Sequence, residues 1–318
     1  MKRLFRSAGY AALVATPSAL LVRTLLAPAT APVAELWVGG GLLFVGAVTV
    51  GIEQERVFDG IVEWEFDAAD VADVVAIVIA AGITYALSVH AGLGPVVSSA
   101  LVGLGAGLWL PEVDTAAYCG SFVGMVSPTV FPSVTPVLVA GLLAGVAFVA
   151  ARGTFTGVGG RLGTLALFGC LTAGVVTGVD YAPSTTLPWT SIVFVVPVTV
   201  VGAVATVVAS TRFGLGPVVA SALVGIVAGV SLPAVLPTLG SVLASAAYCS
   251  SFVGMSSTER LETEASVGLA GVLCGVVFVA VAPAFAGAGG KLGTTAFVAC
   301  LTGVGATELS TTREVFAR

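Results

Sequence analysis

Two ten-residue stretches place hydroxyl groups inside apolar sequence. The stretch AAYCGSFVGM at residues 116–125 returns as AAYCSSFVGM at residues 246–255, 130 positions later. Short, glycine-interrupted segments at equivalent places in two halves of a chain are typical of transporter binding sites. Their hydroxyls and free backbone groups could hold a small solute. The candidate solute-binding residues in the two stretches are Tyr118, Ser121, Gly124, Tyr248, Ser251 and Gly254.

A structural role is the alternative explanation for the same residues. Glycine and serine let helix backbones approach closely in lipid, and tyrosine is common at membrane interfaces. The two interpretations differ in what surrounds the stretches. A transporter needs a polar cavity that reaches them, whereas a scaffold packs them dry. On the transporter hypothesis, alanine at Ser121 and Ser251 abolishes flux and leaves the fold intact.

A glycine-rich motif is the second candidate for chemistry. It reads GVGGRLGT at residues 157–164 and GAGGKLGT at residues 287–294. A glycine turn before a helix presents N–H groups, and the helix N-terminus attracts anions. The spacing differs from that of a phosphate-binding P-loop, and a turn with a membrane-flanking charge is the alternative. The candidate residues are Arg161, Thr164, Lys291 and Thr294.

Residue types that other functions need are missing from the apolar runs. Glu112, Asp114 and Asp180 lie at the ends of runs, which argues against a carboxylate proton relay or a divalent-cation carrier. The one histidine, His90, ends an apolar run, so no nucleophile–base pair can be assembled and we predict no enzyme activity. The five cysteines form no CxxC, so we predict neither a metal site nor a cofactor.

The composition predicts that lipid solvates most of the chain. Of 318 residues, 57% are hydrophobic and 9% are charged, with a mean hydropathy of +1.10. Soluble domains carry about 25% charged residues. Long apolar runs separated by short polar breaks indicate an all-α, polytopic membrane protein rather than a β-barrel. Acidic loops and scarce lysine resemble proteins from high-salt cytoplasm, and nothing indicates nucleic-acid binding.

The chain divides into a lead-in, two repeats and a tail. The lead-in is expected to hold two transmembrane helices, at 8–26 and 32–51, followed by an acidic loop. The small residues after 26 also fit a signal peptide, but we favour a retained helix. Basic residues near the start place the N-terminus in the cytoplasm. The predicted units are 1–70 for the lead-in, 71–185 and 186–305 for the two membrane repeats, and 306–318 for the charged tail.

The number of crossings decides how the two repeats are related. About half of residues 116–174 are identical to residues 246–304. If the AAYC stretch spans the membrane, each repeat has five crossings and the second is inverted. If it re-enters, each has four and the repeats are parallel. If the stretches span, nearly all arginines fall on the same side of the membrane as the N-terminus. The charge distribution therefore favours inverted repeats. Spanning stretches give about 12 crossings in total, whereas re-entrant stretches give 10.

These observations favour a multi-pass transporter or channel-like permease of the cell membrane. The expected solute is small and anionic or neutral, and the paired AAYC stretches line its path. The alternative is a non-transporting membrane scaffold or assembly protein. The expected partners are the lipid bilayer and the solute, and homo-oligomerisation stays open.

Overall fold

A computed structural model describes residues 2–26, 50–51, 54, 66–179, 181 and 186–316, with side chains described between residues 5 and 306. Within these ranges the fold is all-helical and contains no strand. Short 3₁₀ turns cover Trp189–Ser191 and Val253–Met255. The α-helices are α1 (Lys2–Leu25), α2 (Ala68–Val89), α3 (Pro95–Trp109), α4 (Asp114–Val123), α5 (Val134–Ala150), α6 (Arg161–Thr177), α7 (Ile192–Thr211), α8 (Pro217–Val235), α9 (Gly240–Ser251), α10 (Glu264–Ala280) and α11 (Lys291–Phe316).

Four of the described helical stretches are long and apolar enough to cross a membrane. They are Phe5–Leu25, Ala68–Val89, Trp189–Thr211 and Pro217–Val235. Large apolar side chains on the outer faces are open to the surroundings, and Leu269 is 63% exposed. This arrangement fits a helical membrane protein. Most of the predicted helix at 32–51 and most of the acidic loop lie outside the described residues.

Local sequence sets where the helices begin. Asp67 caps α2, because its side chain accepts from the Asp70 N–H while the Asp70 side chain accepts from the Asp67 N–H. This capping box starts α2 three residues before the predicted position. Pro95 and Pro217 open α3 and α8, as the sequence predicts, since the first helical turn has no use for their missing N–H.

The AAYC stretches form the shortest helices among the described residues. The α4 helix has 10 residues and α9 has 12, so α4 is about 15 Å long, half of the ~30 Å hydrocarbon layer. It lies beside the first half of α2, where Gly120 contacts the backbone of Ile77. Non-helical residues 124–133 continue beside the second half, where the Tyr85 hydroxyl donates to the Phe131 carbonyl at 2.6 Å. The segment therefore follows α2 as a half-length helix and an irregular chain.

Helices α6 and α11 cross at a pair of glycines near their N-termini. A Cβ atom at Gly163 would lie 2.5 Å from the Gly293 Cα, and one at Gly293 would lie 2.5 Å from the Gly163 Cα. To either side, Gly160 meets Phe297 and Gly290 meets Leu167. Along these contacts the residue numbers rise in α6 while they fall in α11, so the two helices run antiparallel.

Helices α3 and α8 are related in the same way. Gly107 of α3 contacts Val219 of α8, and Gly229 of α8 contacts Val97 of α3. These helices therefore also run antiparallel. The two contacts join equivalent positions. Val97 and Val219 occupy the same place in GLGPVVSSALVG and GLGPVVASALVG, and Gly107 and Gly229 lie at the same distance beyond them.

Helix α1 packs along both halves of the molecule. Gly9 approaches the backbone of Ala150 at the end of α5. Further along, the fully buried Leu20 joins an apolar cluster with Val281 and Ala284, which follow α10. The helix thus contacts the irregular segments that precede both α6 and α11.

Candidate functional site

The two motifs that the sequence singled out meet between the two predicted repeats (residues 71–185, the first copy, and residues 186–305, the second copy). The Ser257 N–H donates to the Gly157 carbonyl at 2.9 Å, and the Gly159 N–H donates to Ser256 Oγ at 3.1 Å. In the reciprocal contact, the Ser127 N–H donates to the Gly287 carbonyl at 2.8 Å. Each junction therefore combines the glycine motif of one copy with the end of the AAYC stretch of the other and the serines that follow it.

A cavity of about 240 Å³ lies at the first of these junctions. Its mouth is formed by the exposed residues Thr115, Thr156 and Pro217. At its deep end stand Phe122 and Phe252, which are 2% and 1% exposed. The remaining lining comes from residues 157–162, which include Arg161, and from Val218 and Met255.

Four aromatic rings form the wall behind the cavity. Tyr118, Phe122, Tyr248 and Phe252 contact one another with centroid distances of 4.5 to 6.5 Å. All four are 2% exposed or less. Tilted and edge-to-face ring pairs contribute about 0.5–1.5 kcal/mol each beyond burial, so this ring cluster joins the two copies firmly.

Hydrogen bonds satisfy the tyrosine hydroxyls within the protein. Tyr118 Oη lies 2.9 Å from Ser221 Oγ, which lies 2.7 Å from Ser251 Oγ. The other copy repeats the arrangement: Tyr248 Oη lies 2.9 Å from Ser99 Oγ, and Ser99 Oγ lies 2.8 Å from Ser121 Oγ. Each chain of hydroxyls links an AAYC helix of one copy to a helix of the other.

The predicted contacts Tyr118, Ser121, Tyr248 and Ser251 are therefore fully buried and bonded to protein groups. In this structure they stand behind the cavity and do not line it. Their partners Ser99 and Ser221 were missed by the sequence reasoning. The available signal was that both serines occupy the same position in the two GLGPVV repeats.

The candidate glycines of the AAYC stretches serve close packing. A Cβ at Gly124 would lie 2.4 Å from the Ala81 carbonyl oxygen, and one at Gly254 would lie 2.3 Å from the Ala203 carbonyl oxygen. Neither glycine lines the cavity. The ends of both short helices thus rest directly on the backbones of α2 and α7.

The two basic candidates cap the helices that precede them. Arg161 Nη2 donates to the Ala151 carbonyl at 2.6 Å, and Lys291 Nζ donates to the Ala282 carbonyl at 2.7 Å. A cation is favourable at the C-terminal end of a helix. The Arg161 guanidinium also lies 5.9 Å from the ring centroid of Phe148 and contributes to the cavity lining.

The candidate threonines bond back to their own helices. Thr164 Oγ1 donates to the Gly160 carbonyl, and Thr294 Oγ1 donates to the Gly290 carbonyl, both at 3.2 Å. Both residues are fully buried. Arg161 is consequently the glycine-motif candidate whose side chain reaches the described cavity.

Two phenylalanines in equivalent irregular segments adopt left-handed backbone. Phe155 has φ 50° and Phe285 has φ 46°, and they stand 130 positions apart. A bulky residue there costs about 1 kcal/mol or more. Phe155 stacks on Tyr10 of α1, and Phe285 meets Tyr181 edge-on. Sequence reasoning missed this pair, since no residue type announces a left-handed phenylalanine.

All five cysteines are free and buried. The closest described pair is Cys249 and Cys274, whose Sγ atoms lie 3.5 Å apart within the second copy. Cys119 is equivalent to Cys249, but Ala144 stands in the first copy where the second has Cys274. Burial and packing account for these side chains as small apolar groups.

No family model, curated protein or solved structure matches the chain.

Proposed function

We propose that the protein is a multi-pass transporter or channel-like permease for a small anionic or neutral solute. The observation that carries this proposal is the cavity between the two copies, which reaches Phe122, Phe252 and Met255 of the AAYC stretches. The proposed architecture is two lead-in helices and two inverted five-crossing copies, about 12 crossings in all.

Antiparallel contacts between equivalent helices support inversion. A two-fold axis along the membrane normal would leave equivalent helices parallel, whereas an axis in the membrane plane makes them antiparallel. The pairs α3 with α8 and α6 with α11 both run antiparallel. An inverted arrangement has an odd number of crossings per copy, with the AAYC stretch and the irregular residues after it as one crossing.

Irregular backbone that runs from exposed residues to the crossing of α6 and α11 supports a permeation path. Residues 151–160 and 281–290 are non-helical, yet they lead to the N-termini that cross midway between the copies. In a membrane such backbone is tolerated where protein buries it or where it lines a water-filled cavity. Residues 156–160 line the cavity described above.

The positions of the basic residues orient the cavity. Arg260 Nε donates to the Thr156 carbonyl at the mouth at 3.1 Å. Arg152 pairs with Asp70 and Asp73 at the same end of the helices, and Arg212 lies in the loop that precedes the mouth residue Pro217. By the positive-inside rule, these positions support a mouth on the cytoplasmic side of the cell membrane, the side proposed for the N-terminus.

The lining supports a small anionic or neutral solute. Among the described residues that line the cavity, the charged side chain is the basic Arg161, and most of the others are apolar or glycine. A volume of about 240 Å³ is about eight times the ~30 Å³ that one water occupies in the liquid, so the cavity suits a small solute rather than a drug-sized one.

A second candidate function is a membrane scaffold, and the dry packing of Tyr118, Ser121, Tyr248 and Ser251 favours it. Both functions explain the ring cluster and the hydroxyl chains. A scaffold role does not explain why a cavity runs from exposed residues to the middle of the molecule. Solute flux separates the two.

Flux through reconstituted protein tests the proposal. Purified protein is placed in liposomes, and osmotic swelling is followed by stopped-flow light scattering. The solutes are glycerol, urea and the potassium salts of chloride, nitrate, formate and acetate, with the ionophore valinomycin present so that potassium can follow the anion. We expect protein-dependent entry of at least one solute. Met255→Trp fills the cavity and should lower that rate by about tenfold or more, a change of ~1.4 kcal/mol in barrier.

The matched control is Leu269→Trp, which adds the same indole to a side chain that is 63% exposed on the outer face of α10. It should leave flux unchanged. If no solute enters faster than in protein-free liposomes, or if the two tryptophan variants behave alike, the transport proposal is wrong and the scaffold gains support.

A further inference from the structure

We propose a second solute site, on the other side of Phe122 and Phe252 from the cavity. It would be built around residues 286–292 with Ser245, Pro95, Val96 and Met125. This inference rests on the proposed transport function and adds to it where the solute goes after the first cavity. It would take the same class of small anionic or neutral solute.

The cavity-lining residues and their equivalents in the other copy are more similar in sequence than the segments that contain them. Nine of the thirteen cavity-lining residues have an identical residue at the equivalent position of the other copy, whereas residues 116–174 and 246–304 agree at about half of their positions. Two of the four differences keep the chemistry: Thr115 corresponds to Ser245, and Arg161 corresponds to Lys291. The other two differences replace Thr156 and Val158 by alanine.

The exposure of the equivalent residues agrees in part. Pro217 is exposed at the mouth of the cavity, as is its equivalent Pro95, whereas Thr115 is exposed and its equivalent Ser245 is half-buried. Met255 is half-buried in the lining, as is its equivalent Met125. Helix packing alone would not require matching residues at positions that are open to the surroundings.

The backbone frame of the second site is in place. The Ser127 N–H bonds to the Gly287 carbonyl as Ser257 does to Gly157. Lys291 reaches back to the carbonyl of Ala282, as Arg161 does to that of Ala151. The glycine motif of the second copy is thus held against the AAYC stretch of the first, in the arrangement that encloses the cavity on the other side.

Phe122 and Phe252 belong to both sites. They occupy equivalent positions, so each lines the cavity and each falls in the second set as well. Their ring centroids are 4.7 Å apart. A solute would pass from the first site to the second by displacing this one pair of rings.

Thiol labelling from either side of the membrane tests the second site. Single cysteines replace Met255 or Met125 in a chain whose five native cysteines are alanine, or in the native chain if that background does not fold, since its cysteines are all buried. The probe is an anionic, membrane-impermeant methanethiosulfonate. We expect M255C to react from the mouth side and M125C from the opposite side, with rates within about tenfold, or ~1.4 kcal/mol in barrier.

Val137→Cys gives the baseline, because Val137 is fully buried in α5. If M255C reacts and M125C stays at the V137C baseline, the second site is wrong while the first cavity stands. If M125C reacts from the same side as M255C, the second site is also wrong. If neither reacts above baseline, the cavity itself fails, and the proposed function fails with it.

Discussion

Alanine at Gly163 should lower the free energy of unfolding by about 3 kcal/mol or more. The added Cβ would lie 2.5 Å from the Gly293 Cα and 3.1 Å from the Gly290 carbonyl oxygen. Both neighbours are backbone atoms, so no side chain can turn aside and α6 and α11 must separate. Thermal unfolding in detergent micelles should show a midpoint lower by about 5 °C or more.

Gly105→Ala is the matched control for this substitution. It makes the same change inside α3, where the new Cβ would lie 3.5 Å from the Trp109 ring, an ordinary contact. Alanine is the better helix former, so G105A should be neutral or stabilise by up to about 1 kcal/mol. Equal midpoints for the two variants would show that the glycine crossing does not hold the copies together.

Alanine at Phe252 should lower the free energy of unfolding by about 3–5 kcal/mol. The ring is 1% exposed and contacts Phe122 and Tyr248 at centroid distances of 4.7 Å each. Its removal leaves a void at the centre of the ring cluster. Because Phe252 also forms the deep end of the cavity, F252A should raise solute leak in liposomes as it lowers stability.

Phe194→Ala separates the loss of packing from the loss of a phenyl group. Phe194 lies in α7 and is 56% exposed, so its truncation should cost less than about 1 kcal/mol. Phe252→Leu keeps most of the volume and should fall between the two alanine variants. A destabilisation by F252A no larger than that of F194A would contradict the role given to the ring cluster.

Features encoded over short distances were predictable from the sequence. The prolines at 95 and 217 mark helix starts because their effect depends on one turn of chain. The apolar runs before His90 and before Arg212 gave the long helices α2 and α7 to within three residues at most. The charged fraction of 9% predicted a chain solvated largely by lipid, and the long apolar runs predicted helices.

Features that depend on contacts between the copies were not predictable. Nothing in the local sequence shows that the hydroxyl of Tyr118 is hydrogen-bonded to that of Ser221, 103 residues away. In the sequence, the AAYC stretch and the glycine motif looked like two separate candidate sites, because the junction that brings them together forms between copies and not within one. The AAYC stretch that forms α4 looked too short to span a membrane. The irregular residues 124–133, which continue beside α2, have no periodic sequence pattern by which they could be predicted.

Sidedness of two equivalent loop residues tests the inverted arrangement most directly. Leu93 follows α2 and Leu215 follows α7; they are 42% and 41% exposed and occupy the same place in the two GLGPVV repeats. Single cysteines at these positions are labelled with a membrane-impermeant maleimide in right-side-out and inverted vesicles. The inverted arrangement predicts that L215C labels from the cytoplasmic side and L93C from the opposite side. Labelling of both from one side would contradict it and would mean parallel copies with re-entrant AAYC stretches.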